Sequence, residues 1–284
     1  MSPTLRSAAG SDIGRRRSMN QDSAATRPRL LVVADGMGGH AHGEVASTTA
    51  VEALLDMDER LRDVDLADVD LLATLGEAIE DAAGRLTALA HDDPDLRGTG
   101  TTVVAFLCDG ARMGVAHIGD SRAYLLRGGA LSRLTRDHTL VQTLVDEGRL
   151  SAEEAAAHPR RSWLIRTLQE DTTAEPDLFL LEAQIGDRYL VCSDGLTAVL
   201  DDDAVQQSLA AEPERAATVT RLIELANAGG GPDNITCIVA DVVESADYPA
   251  DDETPLIVGA AAALDRGSVP VGSGITPTAV PAQE

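Results

Sequence analysis

The sequence predicts an α+β protein: two antiparallel β-sheets packed as a central sandwich, flanked by helical layers. Three observations lead there. Short runs rich in Val, Ile, Leu and Thr are joined by gaps that cannot hold a helical crossover, so these strands must run antiparallel. Long amphipathic helical runs fall between the strand groups, each with one face to lay on a sheet. Hydrophobic residues make up 44% of the 284 residues and aromatics only 2%, so aliphatic and alanine side chains must fill a sizeable core.

The elements follow in order. Strands are expected at 29–34, 101–108, 112–118, 123–127, 177–183, 189–192 and 235–243. An Asp-Gly pair between Cys108 and Arg112 and a Gly-Gly pair between Arg127 and Ala130 mark two hairpins. One helix is expected from Glu44 onward, where Ala46, Ala50, Ala53, Leu54, Met57 and Leu61 recur at helical spacing. A second carries Leu71, Leu72, Leu75, Ile79, Ala82, Leu86 and Leu89 on one face, and a third runs over 216–228 with Val219, Leu222, Ile223 and Ala226. Residues 137–160 form a helical insertion between strands, with Ser151 and Glu154 spaced as a capping box and Pro159 as the stop. Residues 1–244 therefore make one mixed domain. From 245 to 284, five prolines and scattered Gly, Ser and Thr without periodicity predict a disordered tail.

Composition narrows the function. A net charge of −24 repels nucleic-acid phosphates and anionic membranes, so neither is an expected partner. Cys108, Cys192 and Cys237 are far apart and lie in apolar runs, which predicts buried free thiols in a reducing compartment. No apolar stretch follows the basic N-terminus, and the apolar run 255–264 is too short to span a bilayer. A cytoplasmic protein without membrane insertion is expected.

Several aspartates share one context, the end of a strand beside Gly or Asn. Asp35 follows Leu30–Ala34 and precedes Gly36, Asp120 follows Gly119, Asp194 precedes Gly195, and Asp233 stands between Pro232 and Asn234 ahead of a strand. Strand ends gather distant residues at one edge, and clustered carboxylates repel one another unless a cation neutralises them. Carboxylates and carbonyls are the donor set for magnesium or manganese, and glycine beside an aspartate lets the backbone approach an ion. The glycine-rich stretch after Asp35 has neither the P-loop nor the dinucleotide-binding spacing. No Ser-His-Asp arrangement is evident around Ser121 or Ser193.

In order, the chain carries Arg17-Ser18-Met19-Asn20-Gln21-Asp22, then Ala34-Asp35-Gly36-Met37-Gly38-Gly39-His40, then Gly100-Thr101-Thr102. Gly119-Asp120-Ser121-Arg122, Ser193-Asp194-Gly195-Leu196 and Gly231-Pro232-Asp233-Asn234-Ile235-Thr236 follow. This series resembles the metal-dependent serine/threonine protein phosphatase family (PPM, type 2C), in its bacterial branch, over about residues 5–243. The resemblance implies the layered sandwich already expected. It also implies two Mn2+ or Mg2+ ions, bridged by Asp35. The Gly36 carbonyl and Asp22 complete one ion; Asp194 and Asp233 hold the other; Asp120 with Asp194 holds a third, weaker ion. Arg17 matches the arginine that grips substrate phosphate, and Asn234 is expected to orient Asp233. The insertion 137–160 matches a flap beside the site.

The implied activity is hydrolysis of phosphoserine and phosphothreonine monoesters by a water activated at the binuclear centre, opposing bacterial serine/threonine kinases. Phosphorylated proteins, including such kinases and their substrates, are the expected partners of a monomer. Met37 departs from the eukaryotic pattern, which has histidine there as proton donor; His40 and a water are the remaining candidates. A small-molecule phosphomonoesterase and an inactive phosphoprotein-binding module are the alternative functions.

Overall fold

The computed structural model describes residues 3–38, 42–244 and 254–265. The chain opens with β1 (Pro3–Asp12), β2 (Asp22–Arg27) and β3 (Leu30–Met37). Helices α1 (Gly43–Arg60) and α2 (Leu71–Asp92) follow. The short β4 (Gly100–Thr101) leads into β5 (Val103–Cys108), β6 (Arg112–Ile118), β7 (Arg122–Arg127) and β8 (Ala130–Arg133). The flap contains α3 (Leu140–Asp146) and α4 (Ala152–Ala156). Then come β9 (Leu168–Gln169), β10 (Asp177–Glu182) and β11 (Arg188–Cys192). Helices α5 (Asp194–Thr197), α6 (Asp202–Ala211) and α7 (Arg215–Ala228) precede β12 (Ile235–Glu244). Last are β13 (Leu256–Gly259) and α8 (Ala260–Asp265).

The strands form the two expected antiparallel sheets. One has the order β1-β12-β11-β7-β8; the other runs β10-β6-β5-β3-β2-β13, with β4 and β9 attached to the side of β3. Strand β3 shows why the layers form. Its run Leu30-Leu31-Val32-Val33-Ala34 is buried on both faces, as a continuous apolar strand must be. Leu31 and Val33 point between the sheets, where they join Phe106, Val115, Tyr189, Val191 and Ile238. Leu30, Val32 and Ala34 point the other way, onto Ala50, Leu54, Leu75 and Ile79 of α1 and α2. On the far side of the other sheet, Leu209 of α6 and Leu222 and Ala226 of α7 cover Leu190 and Val239. Phe106 and Tyr189 meet across the sandwich with ring centroids 5.6 Å apart. Helix α2 begins where the Asp70 carboxylate accepts the Leu72 and Ala73 N–H groups, and it stops at Asp93, just before Pro94. Each fully buried Leu or Ile on its inner face contributes about 2 kcal/mol.

Beyond α6 and β8, which were not expected, two departures from the sequence reading matter most. Strands β1 and β2 were not among the expected strands. The first has one large apolar residue, Leu5, and exists because it pairs with β12 along its whole length, from Pro3↔Glu244 to Asp12↔Ile235. The second, Asp-Ser-Ala-Ala-Thr-Arg, has only small or polar residues, yet all but its last are buried between its neighbours and α1. The other departure corrects the tail. Its apolar run folds as β13, which pairs antiparallel with β2 from Leu256↔Thr26 to Gly259↔Ser23, and as α8, whose Ala261 N–H donates to Ser23 Oγ at 3.1 Å. Ordered structure thus continues past 244, because Ile257 and Val258 find apolar partners on the two sides of the sheet. The rest of the expected tail, 245–253 and 266–284, lies outside the described residues, as does His40. Among the described residues no helix is long and apolar enough to cross a membrane.

Candidate metal centre

The antiparallel ladders bring the start of β2, the ends of β3, β6 and β11, and the starts of β7 and β12 to one edge of the sandwich. Asp22 faces Asp35 across the β2–β3 ladder, and Cys192, two residues before Asp194, pairs with Cys237 on β12 and Arg122 on β7. Asp22, Asp120, Asp194 and Asp233 all act electrostatically on Asp35, so the five carboxyl groups form one cluster. Burial with mutual repulsion pushes Asp22, Asp35, Asp120 and Asp194 up. Asp22 rises to about 7, chiefly by desolvation and against the bond from Ser193. Asp120 rises to about 8, by desolvation and then by Asp194. Asp35 lies well above the carboxylate range, and Asp194 is raised.

Asp22 and Asp35 are held from behind. The Asp22 Oδ2 accepts the Ser193 hydroxyl at 2.7 Å, and Ser193 Oγ in turn accepts the Thr236 N–H at 3.0 Å. The Asp35 backbone is clamped at both ends by the turn at Thr101 and Thr102. Its N–H donates to Thr102 Oγ1 at 3.0 Å, and its carbonyl accepts the Thr102 N–H and the Thr101 hydroxyl, each at 2.9 Å. Thr102 Oγ1 continues to Ser121 Oγ at 2.7 Å, which ties the Asp35 strand to the Asp120 turn. Gly36 donates to the Gln21 carbonyl, and any Cβ there would stand 2.0 Å from the Gly43 carbonyl oxygen. Only glycine allows that approach. Gly119 has φ +107°, and a Cβ there would strike Thr102 at 2.5 Å, so Asp120 leaves a turn that no other residue can build.

Asn234 differs from expectation. Its backbone N–H donates to Asp233 Oδ1 at 2.9 Å, so the main chain orients that carboxylate. Its side chain instead holds the loop that carries Arg17: the amide oxygen accepts the Gln21 N–H, and the amide nitrogen donates to the Ile13 and Met19 carbonyls. Arg17 stands at the mouth of the cluster with its side chain 50% exposed, and its guanidinium pairs with Asp233 at 2.6 Å. Ser193, Thr102 and Ser121 were not assigned roles from sequence. Their position beside Asp194, after Gly100-Thr101 and beside Asp120 was the signal available.

The donor set suits a hard divalent cation. Asp22 is fully buried, one of its oxygens is held by Ser193, and the other, Oδ1, has no hydrogen-bond partner among the described residues. A buried carboxylate oxygen left bare among four other acids needs a cation. His117, His138 and Asp177 also offer ligand atoms within 4.8 Å of one another. They fit a cation poorly. The Gly119 N–H donates to His138 Nδ1 at 3.1 Å, so the neutral ring carries its proton on Nε2, which faces Asp177 Oδ2 at 3.0 Å. No lone pair of His138 is left for a metal.

A model of the family described as protein phosphatase 2C matches residues 9–237. The chain belongs to the protein phosphatase 2C family. It is 49% identical over 261 residues to the serine/threonine protein phosphatase PstP of Mycobacterium tuberculosis, covering 92% of this chain and 49% of that protein. It thus spans about half the length of that relative. It is 35% identical over 235 residues to the serine/threonine phosphatase stp of Listeria monocytogenes, covering 81% of this chain and 93% of that one. Among solved structures, the Mycobacterium tuberculosis PstP/Ppp phosphatase superposes with a TM-score of 0.80 at 49% identity, over 85% of this chain and all of that one. The catalytic domain of PstP in complex with two manganese ions superposes with a TM-score of 0.76 at 47% identity, over 86% of this chain and all of that one.

Proposed function

We propose that this chain is a metal-dependent protein phosphatase that hydrolyses phosphoserine and phosphothreonine monoesters. The observation that carries the reading is the buried carboxylate cluster with Asp22 Oδ1 left bare, in a chain of this family. Asp35 would bridge two cations, with Asp22 and the Gly36 carbonyl on one and Asp194 and Asp233 on the other; Asp120 and Asp194 would hold a third, weaker one. When bound, the cations would supply Lewis acidity and bring the pKa of a coordinated water near neutrality. The chain's own residues do the rest. Ser193 fixes Asp22, the Thr101–Thr102 turn fixes Asp35, and the Asn234 main chain fixes Asp233. Arg17 is free to swing, because it is half exposed and held by one carboxylate, and its planar fork suits two oxygens of a phosphate monoester. Met37 has no proton to give, so the leaving alkoxide takes its proton from His40 or from water.

The substrates are phosphorylated proteins, including bacterial serine/threonine kinases and their targets. The naming of the relatives supports this, as do Arg160, Arg161 and Trp163, which stand exposed where the flap turns back toward β9. Buried free Cys108, Cys192 and Cys237 support a reducing, cytoplasmic setting. The test is hydrolysis of a phosphothreonine peptide and of a small aryl phosphate, with and without manganese. Turnover of the peptide that stops on chelation and returns with manganese or magnesium is expected. A strong preference for the small ester points to a general phosphomonoesterase, and binding of the peptide without turnover points to a phosphoprotein-binding module.

A further inference from the structure

His138 opens the flap, and every polar group it has is committed. Its backbone N–H donates to the Gly119 carbonyl at 2.8 Å, and its ring Nδ1 accepts the Gly119 N–H at 3.1 Å. One residue of the flap thus takes both polar groups of the residue that aims Asp120. Its carbonyl accepts the Ile165 N–H at 2.9 Å, which joins the entry of the flap to its return. Its Nε2 donates to Asp177 Oδ2 at 3.0 Å, and the other oxygen of Asp177 takes Arg166 from the bend before β9 at 2.8 Å. The preceding residue, Asp137, pairs with Arg122 at 2.7 Å, just beyond Asp120 and Ser121, and with Arg133. His117, fully buried, packs its ring against His138 with centroids 4.6 Å apart and fixes its plane.

We propose that His138 is a positioning residue that couples the flap to the Asp120 turn, so that the placement of the flap and the aim of the Asp120 carboxylate change together. The coupling rests on the phosphatase reading above. Losing it leaves the Asp22 and Asp233 carboxylates alone, since Ser193 and the Asn234 main chain hold those independently of the Asp120 turn. Asparagine at 138 keeps an acceptor close to the place of Nδ1 and gives up Asp177. Glutamine reaches toward Asp177 and removes the acceptor for Gly119.

The first readout needs no metal. Amide exchange of the metal-free protein, measured by NMR, is expected to show Gly119 and Ile165 protected in the wild type and in His138→Asn. In His138→Gln both should exchange at least about tenfold faster, while the Thr236 amide, bonded to Ser193, stays as it was. The second readout is steady-state kinetics with manganese. His138→Gln should lose about tenfold in kcat on phosphopeptide, need more manganese for half-maximal turnover, and shift its preference toward a small phosphoester, with His138→Asn close to wild type. Wild-type turnover is the control for the phosphatase reading: if it is absent, that reading fails, while the exchange result still judges the coupling. Exchange at Gly119 that speeds up without Ile165 in His138→Gln would overturn the proposal. So would a folded His138→Gln with unchanged manganese dependence and substrate preference. If His138→Gln does not fold, exchange on the wild type decides. Adding magnesium, which is diamagnetic, beyond saturation of the inner site should slow Gly119 and Ile165 together, and slowing at Gly119 alone would overturn the coupling.

Discussion

Asp22 and Asp35 face each other within the β2–β3 ladder, and β2 and β3 are themselves flanked by β13 and β5. The flap, by contrast, hangs from β8 and β9 by loops and keeps few side chains in the core. Val141 and Ala155 are buried, but Trp163 and Ile165 are more than half exposed. One region is fixed by the sheet, where a carboxylate cannot move without breaking the ladder. The other is fixed by a handful of hydrogen bonds at its root. On the proposed function, the difference would give cations and charge to the edge held by the sheet, and substrate choice to the less tightly packed flap.

The largest expected effect breaks the rigid side. Asp35→Asn or Asp194→Asn removes charge with little change of shape. Turnover should fall by about 10³-fold, the scale of losing several kcal/mol of charge stabilisation, with the circular dichroism spectrum unchanged. Activity within tenfold of wild type would reject the bridging role.

Arg17 lies between the two regions, exposed yet paired to the edge. Arg17→Ala should lower kcat/KM on phosphopeptide by about 10–100-fold, the weight of a charge-assisted pair, and leave manganese affinity measured by calorimetry within about twofold. A loss of manganese affinity with unchanged kcat/KM would assign Arg17 to the metal side instead.

A third test sharpens the comparison through pH. Asp22 and Asp120 are raised to about 7 and about 8, above the ordinary carboxylate value. The metal-free native state therefore holds more protons than the unfolded chain between about pH 4 and these values. Its stabilisation from these groups is full below pH 4 and is lost as pH rises through 7 to 8. Manganese competes with those protons, so its stabilising increment in Tm should be larger at pH 8 than at pH 5.5. Equal increments at both pH values would mean that the ion binds elsewhere. Ending the chain after Glu244 has the smallest expected effect. It uncovers β2 and removes Ile257 and Val258 from the two cores they pack against, at about 2 kcal/mol, or roughly 5 °C in Tm by thermal melting. An unchanged Tm would show that β13 adds nothing to the edge.

Much of this was legible from residues alone. The run Leu30–Ala34, the hairpins at Asp109-Gly110 and Gly128-Gly129, the helical spacing in α1, α2 and α7 and the capping box at Ser151 and Glu154 all appear as read. Each is a local signal with its own physical cause. Strand β1 was not legible because its stability comes from ladder bonds to β12, far away in sequence, and β2 because its small and polar residues gain their burial only from β3, β13 and α1 around them. The strand β13 was hidden in a proline-rich stretch for the same reason. In the site, the aspartates stood out through their Gly and Asn neighbours. Of the groups that hold them, Ser193 and Thr102 were marked only by standing beside motif residues and His138 by nothing local, because a hydroxyl or imidazole gains its role only from what the fold sets opposite it.

Diffraction from crystals soaked in manganese, recorded on either side of the manganese absorption edge, tests the carboxylate cluster as a cation centre. Two strong anomalous peaks are expected among Asp22, Asp35, Gly36, Asp194 and Asp233, with a weaker one beside Asp120. Peaks confined to His117, His138 and Asp177, or none within reach of Asp35, would contradict the assignment.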